Sequence, residues 1–410
     1  MLEGENERNM KKFLTICLIL AWVVSLGCKQ EQIIPEISPG RTKLLGAGLA
    51  LEAVEHLKRA EIEEENKVEA QALLLIAYSY ALSQEATLLK KRNLQTEYQN
   101  ERTKRLAELN DSHIKKLFLI LREKHRVQND VIQILADKGL DVIPLILQDF
   151  VDQKYRQAHG DFLSVLRKIG INGFDLIFTA IENPDISLAA KVNLIQIIGE
   201  KGDVSTQGRL ESTKNKITDK GLKMEINAAL YRLGKKEYSK QIEAGLTDKH
   251  VGVRQAAARS IKLLNKPSTS NLITALKDTD DSVRQHIVIA LQEHIDINAV
   301  DNLFDLLTNN DSSDNTKQAT VNTLDYYAKN GLASGLAHRL ITLLTKSNIE
   351  NHRDRIRITQ LLGRPALIKQ ITNADPYDNL PSKIYDYFDT QEDNNLVKAE
   401  LNKILLILEK

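Results

Sequence analysis

Helix-ending glycines recur along this chain at intervals of roughly 30 residues, and this spacing strongly limits the fold that the chain can adopt. Glycine ends a helix well because it enters the left-handed backbone conformation without steric cost. Each interval has room for two short helices joined by turns. The predicted helix ends are Lys138-Gly139, Ile169-Gly170, Ile198-Gly199 and Leu233-Gly234, with Leu264-Asn265 and Leu362-Gly363 continuing the series. The chain is therefore predicted to be an all-α protein built from repeated helix pairs.

Two consecutive intervals align closely, in a register of 30 residues. Each contains an aspartate in the predicted turn and, at the same spacing beyond it, a Val-Arg pair. The matching residues are Asp248 and Arg254 in one interval and Asp278 and Arg284 in the next. This pattern resembles the HEAT repeat, in the short bacterial form that is also found in phycobilin-lyase subunits. The resemblance implies a right-handed α-solenoid, in which residues 112–365 would form about eight HEAT-like helix pairs.

The repeated aspartates and arginines have a physical role in such an array. Asp248 and Asp278 are expected to cap the free N–H groups at the start of the second helix of each pair. Arg254 and Arg284 lie one to two turns into that helix, where they can reach the aspartate of their own or of a neighbouring repeat. We interpret these four residues as a structural ladder between repeats and not as an active site.

The resemblance also implies where a partner would bind, because second helices line the concave face of such solenoids. Polar residues on the predicted second helices are candidate contacts with another protein: Arg259, Lys262, Gln285, Gln292 and Asn322. The predicted function is that of a protein-binding scaffold. Three alternatives stay open: an accessory subunit of an envelope enzyme complex, a HEAT-like lyase or other enzyme in its own right, and a purely structural spacer.

The chain carries no recognisable catalytic or metal-binding motif. Its nine histidines are scattered, and although His286 and His294 lie two turns apart on one predicted helix, no HExxH motif or pair of carboxylates accompanies them. No GxSxG motif is present. A formal net charge of +1 does not predict a nucleic-acid partner. We expect no cofactor, no metal, no small-molecule substrate and no enzymatic activity.

Residues 44–111 are predicted to form a helical hairpin ahead of the repeats. Neither glycine nor proline interrupts the chain from Leu49 to Lys138. A turn at 61–66 would separate a helix near 44–60 from a long one that starts near Lys67. From 85 to 126 the chain carries eleven Lys or Arg against six Asp or Glu. This composition predicts a solvated helical arm, and a basic surface for anionic lipid or an acidic partner is the alternative.

The N-terminal segment has the order of an export signal. Met10-Lys11-Lys12 gives a basic start, and fifteen uncharged residues follow, from Phe13 to Gly27. Such a run suits the core of a signal peptide and is short for a membrane-spanning helix. Residues 1–27 are predicted to be this signal, with translation starting at Met10. Residues 28–43, which contain Pro35, Pro39 and Gly40, would form a tether.

Ser25-Leu26-Gly27-Cys28 resembles the lipobox of bacterial lipoproteins, although Ser25 stands where leucine is usual. The chain has two cysteines, and Cys17 lies inside the signal, so cleavage would leave Cys28 as the only thiol. The resemblance implies lipid attachment at Cys28, which would hold an exported protein on a membrane of the cell envelope. Lys29 favours the outer membrane in a diderm cell. An ordinary signal peptide and an uncleaved anchor are the alternatives.

Residues 366–410 depart from the repeat pattern. Pro376 and Pro381 flank polar residues, aspartates surround three tyrosines and a phenylalanine between 375 and 389, and this composition predicts a surface loop up to about residue 390. A helix over 394–409 would then cover the apolar face of the last repeat. An acidic and aromatic segment that contacts a partner is the alternative interpretation of 366–390.

Overall fold

The computed structural model describes residues 37–346, 349–373 and 379–409, and in these ranges the chain is all-α, without a strand. The predicted signal peptide and Cys28 lie outside the described residues, so export and lipid attachment stay predictions. No helix in the described part of the chain is both long and apolar enough to cross a membrane. The chain divides into two compact units, Met1–Leu176 and Ile177–Lys410.

The helices are numbered here in chain order, and α10 contains the boundary between the two units. Up to that boundary they are α1 Ile37–Arg41, α2 Ala50–Ala60, α3 Lys67–Gln84, α4 Ala86–Lys91, α5 Gln95–Glu108, α6 Asp111–Glu123, α7 Gln128–Lys138, α8 Ile143–Asp152, α9 His159–Ile169 and α10 Phe174–Glu182. The second unit continues with α11 Leu188–Lys201, α12 Gln207–Lys216, α13 Lys220–Arg232, α14 Ser239–Gly245, α15 Val251–Ser260, α16 Thr269–Ala275 and α17 Asp281–Ala290. It ends with α18 Val300–Thr308, α19 Asp314–Tyr327, α20 Ala333–Lys346, α21 His352–Leu362, α22 Pro365–Thr372, α23 Leu380–Thr390 and α24 Asn395–Leu408.

Helix α3 is the centre of the first unit. Its middle, from Ala70 to Ala81, is buried almost without interruption. A helix that is apolar on all sides needs neighbours on all sides, and α2, α5, α6 and α7 pack around it. The predicted turn between α2 and α3, at 61–66, is confirmed.

The polar stretch after α3 is largely exposed, as its composition predicts, but it is docked and does not form a free arm. The chain turns at Asn93, which has a φ of 56°, and α5 folds back on α3. Tyr98 is buried and meets Tyr78 edge to face, with ring centroids 4.8 Å apart. Arg105 donates two hydrogen bonds to the carboxylate of Glu61, at 2.8 and 2.9 Å. One aromatic ring and a few arginines are thus enough to dock a polar helix whose outer face stays solvated.

The predicted tether, 28–43, is also too long. Ile37–Arg41 forms a helical turn that packs on α2, and Ile37 is buried. Gly40 allows this contact, because a Cβ at that position would lie 2.8 Å from Cγ of Leu57. The described chain is therefore packed from its first residue onward.

From Asp111 to Leu362 the described residues form eight successive helix pairs, α6/α7 to α20/α21, which agrees with the expected number. Gly139, Gly170 and Gly234 follow the second helix of their pairs with φ of 74°, 65° and 107°, so these three predicted helix ends are confirmed. The resulting chain order places a second helix at α7, α9, α11, α13, α15, α17, α19 and α21.

Gly199 was expected to end a helix, and this prediction is wrong. It lies inside α11, which continues to Lys201. A Cβ at Gly199 would lie 2.9 Å from Cα of Ala229, on α13. The glycine is therefore needed for the close approach of two neighbouring second helices and not for a turn.

The predicted surface loop at 366–390 is mostly helical. Helices α22 and α23 occupy Pro365–Thr372 and Leu380–Thr390, and residues 374–378 lie outside the described part. Tyr387 belongs to the apolar core and donates a hydrogen bond to Glu392 at 2.6 Å. Tyr387 is buried, and Tyr385 and Phe388 are partly buried, because α24 packs against α21 and α23. The expected final helix is confirmed as α24.

Candidate binding site

The second helices of the second unit form a continuous layer. Helix α11 packs on α13, α13 on α15, α15 on α17, and α17 on α19. The predicted ladder and all five candidate contact residues lie on these helices or in the turns next to them.

Arg254 connects two neighbouring repeats. Its Nε and Nη2 donate to the two carboxylate oxygens of Asp278 in the next repeat, at 2.7 and 3.1 Å. Its Nη1 donates to the backbone carbonyls of Asp248 and Lys249 in its own turn, at 2.9 and 3.4 Å. One guanidinium thus closes the turn before its helix and also binds the following turn, as the spacing of the ladder suggests.

Arg284 makes the same contacts to the turn before its own helix as Arg254 does. Its Nη1 donates to the carbonyls of Asp278 and Thr279, at 2.7 and 3.2 Å. Its Nη2 donates to Asp281 Oδ1 at 2.8 Å and to the carbonyl of Asp311 in the next repeat at 2.7 Å. The contact to the next repeat is therefore made to backbone and not to a carboxylate.

The expectation that Asp248 and Asp278 cap the second helices is wrong. The residues at the N-cap positions are His250, which makes no side-chain cap, and Asp280, which accepts from the N–H of Val283. Asp248 and Asp278 each accept from the backbone N–H two residues ahead, at 2.8 Å. The helices begin two residues later than the pattern suggested, so these aspartates close the preceding turn.

Sequence reasoning missed a third arginine of this kind, Arg355 on α21. Its Nη1 donates to the carbonyls of Ile349 and Glu350, six and five residues back, at 2.7 and 3.3 Å. These are the same relative positions that Arg254 uses. The sequence pattern did not reveal Arg355, because this residue does not follow the 30-residue register of Arg254 and Arg284.

Lys317 lies on α19, at the position that corresponds to Arg254 and Arg284 in their repeats. Its side chain is buried and pairs with an aspartate of another helix. Its Nζ lies 2.5 Å from Asp354 Oδ2, and both side chains are almost fully buried. Arg357 completes the group, donating to Asp354 at 2.8 Å and to Asp314 at 2.6 Å. Helices α19 and α21 are thus joined by a buried ion pair.

Replacing Asp354 by Ala should lower the free energy of unfolding by about 3–5 kcal/mol, because the ammonium of Lys317 would stay buried without its partner. Chemical denaturation of the full chain measures this change. The matched control is Asp393→Ala, since Asp393 also pairs with an arginine but its side chain is 91% exposed, and the expected change is below about 1 kcal/mol. Similar losses in the two variants would contradict the assignment.

A cavity of ≈ 270 Å³ opens on the second-helix layer. Four successive second helices, α11, α13, α15 and α17, together with the turn after α15, supply its walls. The lining residues are Gln196, Gly199, Glu200, Glu225, Ala228, Ala229, Arg232, Arg259, Ser260, Lys262, Leu263 and His286. Small side chains and a glycine leave the space, and charged side chains surround it.

Two arginine–glutamate pairs lie in this cavity. Arg259 donates to Glu225 Oε1 through Nε and Nη2, at 2.8 and 2.5 Å. Burial raises the pKa of the Glu225 carboxyl, and the adjacent Arg259 opposes that rise. Arg232 pairs with Glu200 at 3.2 Å. Lys262 is exposed, and no carboxylate in the described ranges lies within ion-pair distance of it.

His286 faces the same cavity from α17. Burial, together with the positive charges of Arg259 and Lys262, lowers its pKa to about 4, whereas Asp280 acts in the opposite direction. The imidazole is therefore neutral near pH 7, in a positively charged setting.

Of the five predicted contact residues, Arg259 and Lys262 line the cavity and the other three do not. Gln292 donates to Thr323 Oγ1 at 3.2 Å, Asn322 is exposed and accepts from Gln318, and Gln285 is half-buried. The residues that sequence reasoning missed are Glu225, Arg232 and His286. Arg232 was detectable, since it stands one 30-residue interval before Lys262.

Residues 239–325 match the family model of HEAT repeats. This segment is similar to HEAT repeats. It spans α14 to most of α19 and contains the ladder together with all five candidate contact residues. HEAT repeats commonly mediate binding between proteins, and the segment therefore suggests an interaction scaffold.

No curated protein shows significant similarity to the chain. Among solved structures, the chain is similar to an engineered protein from the Northeast Structural Genomics Consortium, at 14% identity and a TM-score of 0.33, with 92% of this chain and 94% of that chain covered. A TM-score of this size carries no weight for fold or function.

No group of three or more potential metal ligands occurs in the part of the chain that the structure describes.

The lowered pKa of His286 predicts a pH-dependent stability. The neutral form is favoured in the folded state, so this contribution is complete above the unfolded pKa of about 6.5 and is lost as the pH falls toward 4. The loss should be about 1–2 kcal/mol, because partial solvent exposure reduces the full effect. Denaturation of the full chain at pH 7 and pH 4.5 measures it.

Comparison with His286→Gln isolates this contribution from that of other titrating groups. The variant should lose less stability between pH 7 and pH 4.5 than the unmodified chain. His352→Gln, at an exposed position on α21, is the control and should behave like the unmodified chain. Identical pH profiles for all three proteins would contradict the burial of a neutral imidazole.

Proposed function

We propose that this protein is a non-catalytic scaffold that binds another protein through the second-helix layer around the cavity, and that it does so as a lipoprotein of the cell envelope. The observation that carries the binding proposal is the charged cavity that four successive second helices build within the repeat array. It lies partly inside the segment that matches HEAT repeats, from 239 to 325.

The mechanism is recognition across several repeats. Each second helix contributes side chains to one surface, so a partner segment that crosses the layer meets several helices in turn. A few anchors would supply most of the binding free energy, and a cavity with buried walls is the place where an anchor side chain is best desolvated. The surrounding polar side chains would add specificity rather than affinity.

The membrane half of the proposal rests on the sequence alone. A basic start, an uncharged run and Cys28 in a lipobox-like setting support export and acylation. Two acyl chains would hold the protein on a bilayer, and the packed chain begins nine residues beyond Cys28, at Ile37. The first packed helix would therefore lie close to the membrane surface.

Site-specific crosslinking in intact cells tests the binding proposal. A photoreactive amino acid in place of Leu263 should yield a discrete crosslinked protein, because this position lines the cavity. The same amino acid in place of Lys240, an exposed position on the first helix α14, should not. Equal products from both positions, or none from Leu263, would overturn the proposed binding face.

Cell fractionation tests the anchor. Replacing Cys28 by Ala removes the thioether to lipid, so the protein should move from the membrane fraction to the soluble fraction. Cys17→Ala is the matched control, since that residue would be removed with the signal, and it should leave the distribution unchanged. If the Cys28→Ala protein stayed in the membrane fraction through high-salt washing, the lipoprotein proposal would be wrong.

A further inference from the structure

The charges in the cavity are not balanced. Three side chains are cationic, Arg232, Arg259 and Lys262, and two are acidic, Glu200 and Glu225. Both carboxylates already pair with arginines. This leaves one positive charge, on Lys262, without a partner among the described residues. A ligand that carries a single negative charge would restore neutrality.

The cations are placed so that one small anionic group can meet two of them. Lys262 follows Arg259 by three residues, which is about one helical turn, so the two side chains project from the same face. Glu225 is almost fully buried and holds the guanidinium of Arg259 through two donor nitrogens, whereas the Arg259 side chain keeps 26% of its exposure. The guanidinium is thus fixed in orientation and still accessible from the cavity.

His286 adds a neutral hydrogen-bonding group from the neighbouring second helix, α17. The titratable or charged groups that face it are Arg259 and Lys262 from α15 and its following turn, and Asp280 from the start of α17. A cation entering the cavity would be repelled by this setting. An anion would be stabilised by both positive charges and could accept a hydrogen bond from the imidazole.

We infer that the cavity receives the carboxylate of an aspartate or glutamate from an acidic segment of the partner protein, bound between Lys262, Arg259 and His286. This inference rests on the proposed function, because it assumes that the second-helix layer is the surface that binds protein. The volume of ≈ 270 Å³ suits a side chain and not a folded element. One carboxylate matches the single uncompensated charge, whereas a phosphate dianion would exceed it.

Titration of the full chain with a short unstructured peptide of glutamate, glycine and serine tests the inference. Nuclear magnetic resonance of the His286 ring should show a saturable shift, and the pKa of His286 should rise because a carboxylate opposes the effect of the two cations. The same peptide with glutamine in place of glutamate should give no saturable shift. Equal binding of both peptides would overturn the carboxylate assignment.

Variants identify the residues that bind. Lys262→Ala should weaken the binding of the glutamate peptide about tenfold, as expected for the loss of one charge-assisted contact. Lys240→Ala is the control, since it removes the same charge from a first helix, and it should leave the affinity unchanged. Inorganic phosphate serves as the competing probe. If phosphate produced the His286 shift and the glutamate peptide did not, the inference would be wrong.

The two proposals can fail separately. If the crosslink at position 263 forms but an excess of glutamate peptide does not reduce its yield, a protein binds the face without using a carboxylate, and only this inference fails. If no crosslinked protein forms while the peptide still binds through Lys262, the scaffold proposal fails and the carboxylate site stands.

Discussion

Each helix pair of the second unit has an apolar face that only the neighbouring pair can cover, and this constraint underlies the other features of the unit. Successive second helices meet closely because small residues stand where they cross. Gly199 against Ala229 is the tightest example, and Ala256 and Ala257 on α15 are fully buried. The apolar contact supplies the stabilisation, but it is non-directional and does not by itself define the register between pairs.

Polar groups at the ends and sides of the helices define that register. Arg254 binds a carboxylate of the next repeat, Arg284 binds a carbonyl of the next repeat, and Lys317 lies in a buried ion pair with Asp354. A buried ion pair contributes little net stability compared with apolar packing, but leaving one partner alone is costly. These contacts therefore disfavour shifted arrangements more than they strengthen the correct one.

The same close packing produces the candidate site. Where glycine, alanine and serine line the second helices, the layer cannot fill its own surface, and a cavity remains. Charged residues at its rim are held by pairing, as Glu225 holds Arg259. The site is thus a by-product of the small residues that permit stacking, and the charges that surround it are the basis of the proposed preference for a carboxylate.

The sequence by itself determined the repeat. Glycine conformation, the 30-residue register and the Asp and Val-Arg spacing are local properties, and they predicted the helix pairs, their number and the reach of Arg254. Only the tertiary structure decided that Gly199 is a crossing point, that α5 packs on α3, and that Glu225 and His286 share a cavity with Lys262. These outcomes depend on distances between side chains about 20 to 60 residues apart, which packing sets and no local pattern records.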